Sequence, residues 1–233
     1  MMNSVADAEA LATSIVNVAT GAGVPTEAII TDMNQVLGNT AGNALEMAET
    51  AKYLSGELRE PRLHQVVVAL ASSMLINALL VRDHKEAVAK INDVLNSGAA
   101  AELFNKMIHA LGGPSDFVED PWKTMQKANV VSEIVAPNHG LITSMQTRDI
   151  GMSVVGLKGG RLANGEAIDH SVGFDRILPV GTLVNKGDVI ARVHASNEDD
   201  AKRAAQQYQD ALKIEDQIRE IPPVIVKTIK HMG

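Results

Sequence analysis

The sequence contains no cysteine. That excludes a disulfide framework, a zinc–thiolate site and a cysteine nucleophile, and it fits a reducing cytoplasm. Positive charge is also in short supply: 21 Lys and Arg face 28 Asp and Glu, for a formal net charge of −7. A general nucleic-acid binder needs a basic footprint, so no nucleic-acid partner is expected. No basic segment followed by an apolar run opens the chain, so no secretory signal is read. The best membrane candidate, Val66 to Val81, is broken by Ser72, Ser73 and Asn77. It falls short of the roughly 20 apolar residues a spanning helix needs and reads as a core helix, with no membrane partner implied.

Enough apolar material is present to fold. The 233 residues are 45% hydrophobic, which argues against disorder and suits one large domain or two ordinary ones. Residues 6 to 21 place Ala8, Leu11, Ile15, Val16 and Val18 on a helical face. Gly21 and Gly23 end it, and Val24 to Thr31 reads as a strand. The stretch from Thr31 to Glu49, TDMNQVLGNTAGNALEMAE, then passes through a loop with Asn34, Gly38, Asn39 and Gly42 into a helix. Asn43 is the expected cap, with Glu46 three residues on. A strand, a Gly-rich loop and a capped helix suit a ligand or ion site, or an ordinary connection.

Helices are expected over Ala44–Leu54, Arg62–Val81, Lys85–Asn96 and Ala99–Leu111. The second carries a wide apolar face of Leu63, Val66, Val67, Leu70, Met74, Leu75 and Leu79. This helical block is expected to cover one face of a sheet. The periodicity breaks between Phe117 and Ala128. Beyond Val130 come short strand-like runs, a helix-like TRDIGMSVVGL, strands at 170–175, 181–185 and 188–194, a long helix from Glu198 to Arg219 with Ile218 on its apolar stripe, and a last strand at Val224–Ile229. The fold class is therefore α/β and α+β. A partial α/β sheet domain covered by helices occupies residues 1–120, and a smaller barrel-sandwich-like α+β domain occupies 130–233. Within the latter, Gly181 to Val193 has the hairpin rhythm of biotinyl and lipoyl carriers. A carrier presents its modified lysine at a hairpin tip, typically between methionines. Met145 has no lysine beside it, so the architecture is expected without the carrier function.

Several ordered motifs point to one family. ITDMNQVLG followed by AGNALEMAE, GELREPRL at 56–63, TRDIGMSVVGLKGGR at 147–161 and IDHSVGF at 168–174 resemble the thymidine phosphorylase and pyrimidine-nucleoside phosphorylase family. The resemblance covers the C-terminal half of such an enzyme. It implies phosphorolysis of a pyrimidine nucleoside: thymidine and phosphate give thymine and 2-deoxyribose 1-phosphate. The family's phosphate loop, catalytic histidine and base-binding group lie in the half that is not matched, so no catalytic residue is carried over. His64, His109, His139, His170 and His194 read as ordinary residues, because none has a patterned acidic or nucleophilic neighbour.

Two features do carry over. The resemblance implies a monovalent cation site, for potassium or sodium, using the carbonyls of Leu37 and Thr40 and the carboxylate of Glu49. Oxygen ligands suit such a hard cation, and a solvated Glu49 is the alternative. It also implies a cleft-closing loop with Lys158, Gly159, Gly160 and Arg161, whose glycines lend mobility and whose cations approach phosphate. A flexible surface loop is the alternative. No organic cofactor is expected, and phosphate is the co-substrate. The expected partners are the N-terminal half, in the same chain or as a separate one, and a second copy in a homodimer. The isolated chain is expected to be inactive. A stand-alone structural or interaction domain is the non-enzyme alternative. An unpaired sheet edge is expected near Met2.

Overall fold

The computed structural model describes Met2, residues 4–217 and residues 221–230. The chain divides into two compact units, and it crosses between them more than once. The first comprises the residues up to Asp32, Pro61–Ser97 and those from Pro222 onward; the second comprises Met33–Glu60 and Gly98–Ile221.

The first unit is built on helix α1 (Val5–Gly21), strand β1 (Glu27–Thr31), helices α3 (Pro61–Asn77) and α4 (His84–Asn96), and strand β8 (Ile225–Lys230). Ser4 caps α1 by accepting from the Asp7 amide at 3.1 Å, and Asp83 caps α4 by accepting from the Glu86 amide at 2.9 Å. Strand β1 follows α1 after a short connection. It pairs antiparallel with β8, with Ala28 opposite Ile229 and Ile29 opposite Thr228. Among the described residues this sheet has two strands, so each has one unpaired edge. Asp32, just beyond β1, is held by a buried ion pair to Arg62 at 3.1 Å.

The expected apolar faces of α1 and α3 are only partly covered. Ala12 and Val16 are buried on α1, but Leu11, Ile15 and Val18 are exposed. On α3, Val66 and Ser72 are buried, whereas Leu70 is 48% and Met74 72% exposed. The helix stops at Asn77 rather than Val81, and Leu79 follows with φ +56. The periodicity that marks a helix is present, but these apolar positions stay exposed.

The second unit holds α2 (Asn43–Ser55), α5 (Ala99–Ala110), a 3-10 turn at Pro121–Lys123, and a β-rich core. The predicted helical block is thus split: α3 and α4 belong to the first unit, while α2 and α5 pack on each other in the second. Strands β2 (Val130–Val135), β6 (Val189–Ala195) and β4 (Gly173–Asp175) form one antiparallel sheet in the order β2–β6–β4. Strands β5 (Leu183–Val184), β3 (Gly140–Met145) and β7 (Leu212–Glu215) form another in the order β5–β3–β7. Helices α6 (Thr147–Gly156) and α7 (Glu198–Asp210) complete the unit. Ile134, Ile142, Ile150, Phe174, Ile190, Val193 and Tyr208 close its core, with the Phe174 and Tyr208 rings 5.1 Å apart.

This part of the chain corrects the expected long helix. Helix α7 ends at Asp210, and Leu212–Glu215 turns back as β7 against β3. Ala201, Ala204 and Tyr208 form the buried stripe as read, but Ile218 and Arg219 lie outside the described residues. The carrier resemblance stops at architecture. Met145 ends β3 and the chain enters α6 directly after Gln146, leaving no hairpin tip there. No helix among the described residues is long and apolar enough to cross a membrane.

Candidate functional site

The Thr31–Glu49 stretch is shared between the units: β1 and Asp32 lie in the first, the loop and α2 in the second. Within the second unit the loop is bound edge-on to the segment 172–180. The Ala41 amide donates to the Phe174 carbonyl at 2.9 Å and the Phe174 amide donates back at 2.8 Å. The Ile177 amide donates to the Asn39 carbonyl at 3.0 Å, and Asn39 Nδ2 donates to the Ile177 carbonyl at 3.1 Å. The Val180 amide donates to Gln35 Oε1 at 3.1 Å. Two glycines permit this approach. A Cβ on Gly42 would lie 2.4 Å from the Val172 carbonyl oxygen, and one on Gly173 would lie 2.1 Å from the Ala41 carbonyl oxygen.

That contact also overturns the predicted cap. The N-cap of α2 is Gly42, at φ +145 and without a side-chain cap. Glu46, four residues on, accepts from the Gly42 amide at 3.0 Å and so satisfies the backbone at the helix start. Asn43 is the first helical residue instead, and its Nδ2 donates to the Gly159 carbonyl at 3.1 Å.

Glu49 reaches back from α2 to the loop. Its Oε1 accepts from the Asn39 amide and its Oε2 from the Thr40 hydroxyl, each at 2.6 Å. A Cβ on Gly38 would fall 2.6 Å from this carboxylate, so a side chain there would push Glu49 off its two partners. Glu49 is therefore a structural anchor, not a solvated helix residue. Thr40 contributes its hydroxyl to that anchor. Each carboxylate oxygen keeps a lone pair beyond the bond it accepts, so the group remains chemically fit to serve as one ligand of a monovalent cation. Among the described residues no cluster of three or more His, Asp or Glu side chains forms a metal centre. A cation here would draw its remaining ligands from backbone oxygens such as those of Leu37 and Thr40.

Asn39, Thr40 and Glu49 line an open cleft of about 590 Å³, together with Asp175, Arg192 and His194. Asp175 stands opposite Arg192 in the β4–β6 register, and His194 stands opposite Gly173 two positions along. Arg192 grips both oxygens of Asp175, with Nε 2.8 Å from Oδ1. His194 Nε2 lies 3.2 Å from Oδ2, within ion-pair reach but off the hydrogen-bond axis. Burial opposes ionisation of Asp175, but the His194 ring and the Arg192 guanidinium outweigh it and hold the carboxyl at about 2. The reading of His194 as lacking an acidic neighbour is thereby corrected. Nothing in the local sequence signals the pair, because antiparallel pairing creates it between residues 19 apart.

This triad makes stability depend on pH. An unfolded aspartate titrates near 3.8, so the lowered folded value contributes about 2 kcal/mol above that pH. The contribution is complete above about pH 4 and disappears as pH falls through about 2. Asp175→Asn should therefore lower unfolding free energy by about 2 kcal/mol at pH 7. The gap to the parent should close between pH 4 and pH 2 in urea titrations, and a pH-independent gap would contradict this origin.

The loop after α6 is ordered by local bonds. Lys158 takes the left-handed position at the helix end, with φ +71, and its carbonyl accepts from the Asp169 amide at 2.9 Å. Gly159 and Gly160 are needed for close approach: a Cβ would meet Val154 Cγ1 at 2.7 Å and Val155 Cγ2 at 2.9 Å respectively. Arg161 Nε donates to the Glu166 carbonyl at 2.8 Å. Lys158 and Arg161 are exposed and do not line the cleft.

Comparison with known proteins gives a consistent set of likenesses. A family model described as the glycosyl transferase family a/b domain matches residues 1–101. One described as the pyrimidine nucleoside phosphorylase C-terminal domain matches residues 141–215. A thymidine phosphorylase of Colwellia psychrerythraea is 60% identical over 225 residues, covering 97% of this chain and 51% of that protein. A thymidine phosphorylase of Rhizobium meliloti is 44% identical over 229 residues, covering 98% of this chain and 52% of that protein. The chain spans about half the length of the curated relatives it matches.

Proposed function

We propose, because this chain belongs to the thymidine and pyrimidine-nucleoside phosphorylase family, that it supplies one half of an enzyme of pyrimidine-nucleoside phosphorolysis. In this reading thymidine and phosphate are converted to thymine and 2-deoxyribose 1-phosphate only when the other half is present. The observation that carries it is the match over 97% of this chain to 51% of a thymidine phosphorylase.

The first unit supports the reading. Its two-stranded sheet packs against α1 and, among the described residues, keeps one unpaired edge on each strand. The exposed Leu11, Ile15 and Val18 of α1 fall on one stripe, as do Leu70 and Met74 of α3. An additional stretch of the same enzyme is the proposed partner for these surfaces, and a homodimer is the proposed assembly. The reading includes a cytoplasmic location, which a chain without cysteine suits. It also includes a potassium or sodium ion held by Glu49 with the carbonyls of Leu37 and Thr40. The loop carrying Lys158, Gly159, Gly160 and Arg161 is proposed to close on the phosphate-bearing cleft of the complete enzyme.

The test is phosphate-dependent release of thymine from thymidine, by this chain alone and after mixing with the separately produced N-terminal half of a relative. Activity is expected in the mixture and absent from either part. Turnover by the chain alone would overturn the half-enzyme reading. Silence in both, with both parts folded, would leave a structural role.

A further inference from the structure

We propose that the cleft in the second unit is a binding site for a small organic anion bearing a flat ring, of the class of a nucleoside monophosphate or an aromatic carboxylate. The inference stands apart from the phosphorolysis reading, because it rests on the cleft's own side chains.

Charge comes first. Lys52, Lys127, Arg176 and Arg192 line the cleft, against the carboxylates Glu49 and Asp175. Arg192 is paired with Asp175, and Lys52 with Glu57 at 3.4 Å, while Glu49 keeps its charge, because its partners are the neutral Asn39 amide and Thr40 hydroxyl. Lys127 and Arg176 are exposed, and among the described residues no ion pair or hydrogen bond engages either side chain. Lys127 and Arg176 against Glu49 leave a surplus of one positive charge in this concavity, within a chain of net charge −7, and that surplus attracts an anion.

Shape and apolar lining come second. Trp122, Leu58 and Val131 also line the cleft, with Leu58 47% and Val131 48% exposed. A flat ring buried there would gain apolar contact and a stacking surface, which a bare inorganic anion cannot use. The volume of about 590 Å³ suits a ligand of nucleotide size.

Backbone strain comes third. Arg176 sits at φ +53, a conformation that costs a residue with a Cβ and costs glycine nothing. Strained residues of this kind concentrate where a side chain is needed at a ligand site.

Trp122 is the sole tryptophan in the sequence, so its fluorescence reports on this cleft. The chain would be titrated with uridine 5′-monophosphate, benzoate, inorganic phosphate and uridine, with calorimetry alongside. At least one of the two ring-bearing anions is expected to saturate the signal below about 1 mM, and to bind at least about tenfold more tightly than phosphate or uridine. Which of the two binds separates a phosphate from a carboxylate source. Arg176→Gly should weaken that binding about tenfold while melting at or above the parent temperature, and Lys127→Ala should weaken it similarly. Failure of both ring-bearing anions to saturate by about 10 mM would overturn the proposal. So would unchanged affinity in both variants, or phosphate binding as tightly as the nucleotide, which would mark an adventitious ion only.

Discussion

Gly173→Ala should destabilise the protein by about 3–5 kcal/mol and lower its melting temperature by about 10 °C, as followed by circular dichroism. The added methyl would meet the Ala41 carbonyl oxygen at 2.1 Å and the Gly42 Cα at 2.9 Å. Both are backbone atoms, so no side chain can rotate away. The position also has φ +145, which an L-residue rarely adopts. Relief requires parting residue 41 from Phe174, which sacrifices the two backbone hydrogen bonds at 2.8 and 2.9 Å and disturbs a fully buried ring. Gly151 and Gly156 in α6 provide the control: a Cβ on either meets nothing within 4 Å. Alanine there should stabilise by about 0.5–1 kcal/mol, because helix formation costs glycine more entropy. One chemical change thus has opposite signs at sites that differ in backbone conformation and in tertiary surroundings. A Gly173→Ala melting temperature within 3 °C of the parent would show that the approach of the two segments is looser than described.

Glu49→Ala should cost about 3 kcal/mol, because the substitution removes two charge-assisted hydrogen bonds at once. The Asn39 amide and the Thr40 hydroxyl, each 2.6 Å from a carboxylate oxygen, would lose their acceptor. The cavity beside Gly38 would then hold nothing but water. Glu49→Gln should cost about half as much. Its carbonyl oxygen still accepts from the Asn39 amide, and the Thr40 hydroxyl can turn to accept from the new amide group. The pair of variants separates the anchor from the proposed cation ligand. If Glu49 also holds a monovalent cation, potassium should raise the melting temperature of the parent relative to choline, and that difference should vanish in Glu49→Gln while the fold persists. Equal stability of parent and Glu49→Ala in urea would remove the anchor role altogether.

Much of the fold could be read from local pattern. Helices α4 and α5 lie within a residue of their expected bounds, because the periodic apolar positions and the Asp83 and Gly98 boundaries act within one turn. The change of character after Val130 was equally legible, since short β-branched runs mark strands. The reading went wrong where distant segments compete for the same backbone. Asn43 has the right chemistry for a cap, but the Val172 carbonyl occupies the space beside residue 42, so a glycine must take that place. The polar run after Glu198 continues helical in pattern, yet β3 offers Leu212–Glu215 a strand partner and the helix ends.

By itself, the sequence determined the family, the helical and strand-rich character of successive stretches, and the exclusion of thiol chemistry. Those properties reside in residue identity and in spacings of two to four positions. Tertiary structure alone decided that Glu49 would hold the loop through Asn39 and Thr40, that Asp175 would pair with Arg192 and His194, and that Lys127, Arg176 and Trp122 would share one cleft. The reason is physical. Ion pairs and clefts depend on distances of a few ångströms between residues that strand register and close glycine contacts bring together, and no local spacing encodes those distances.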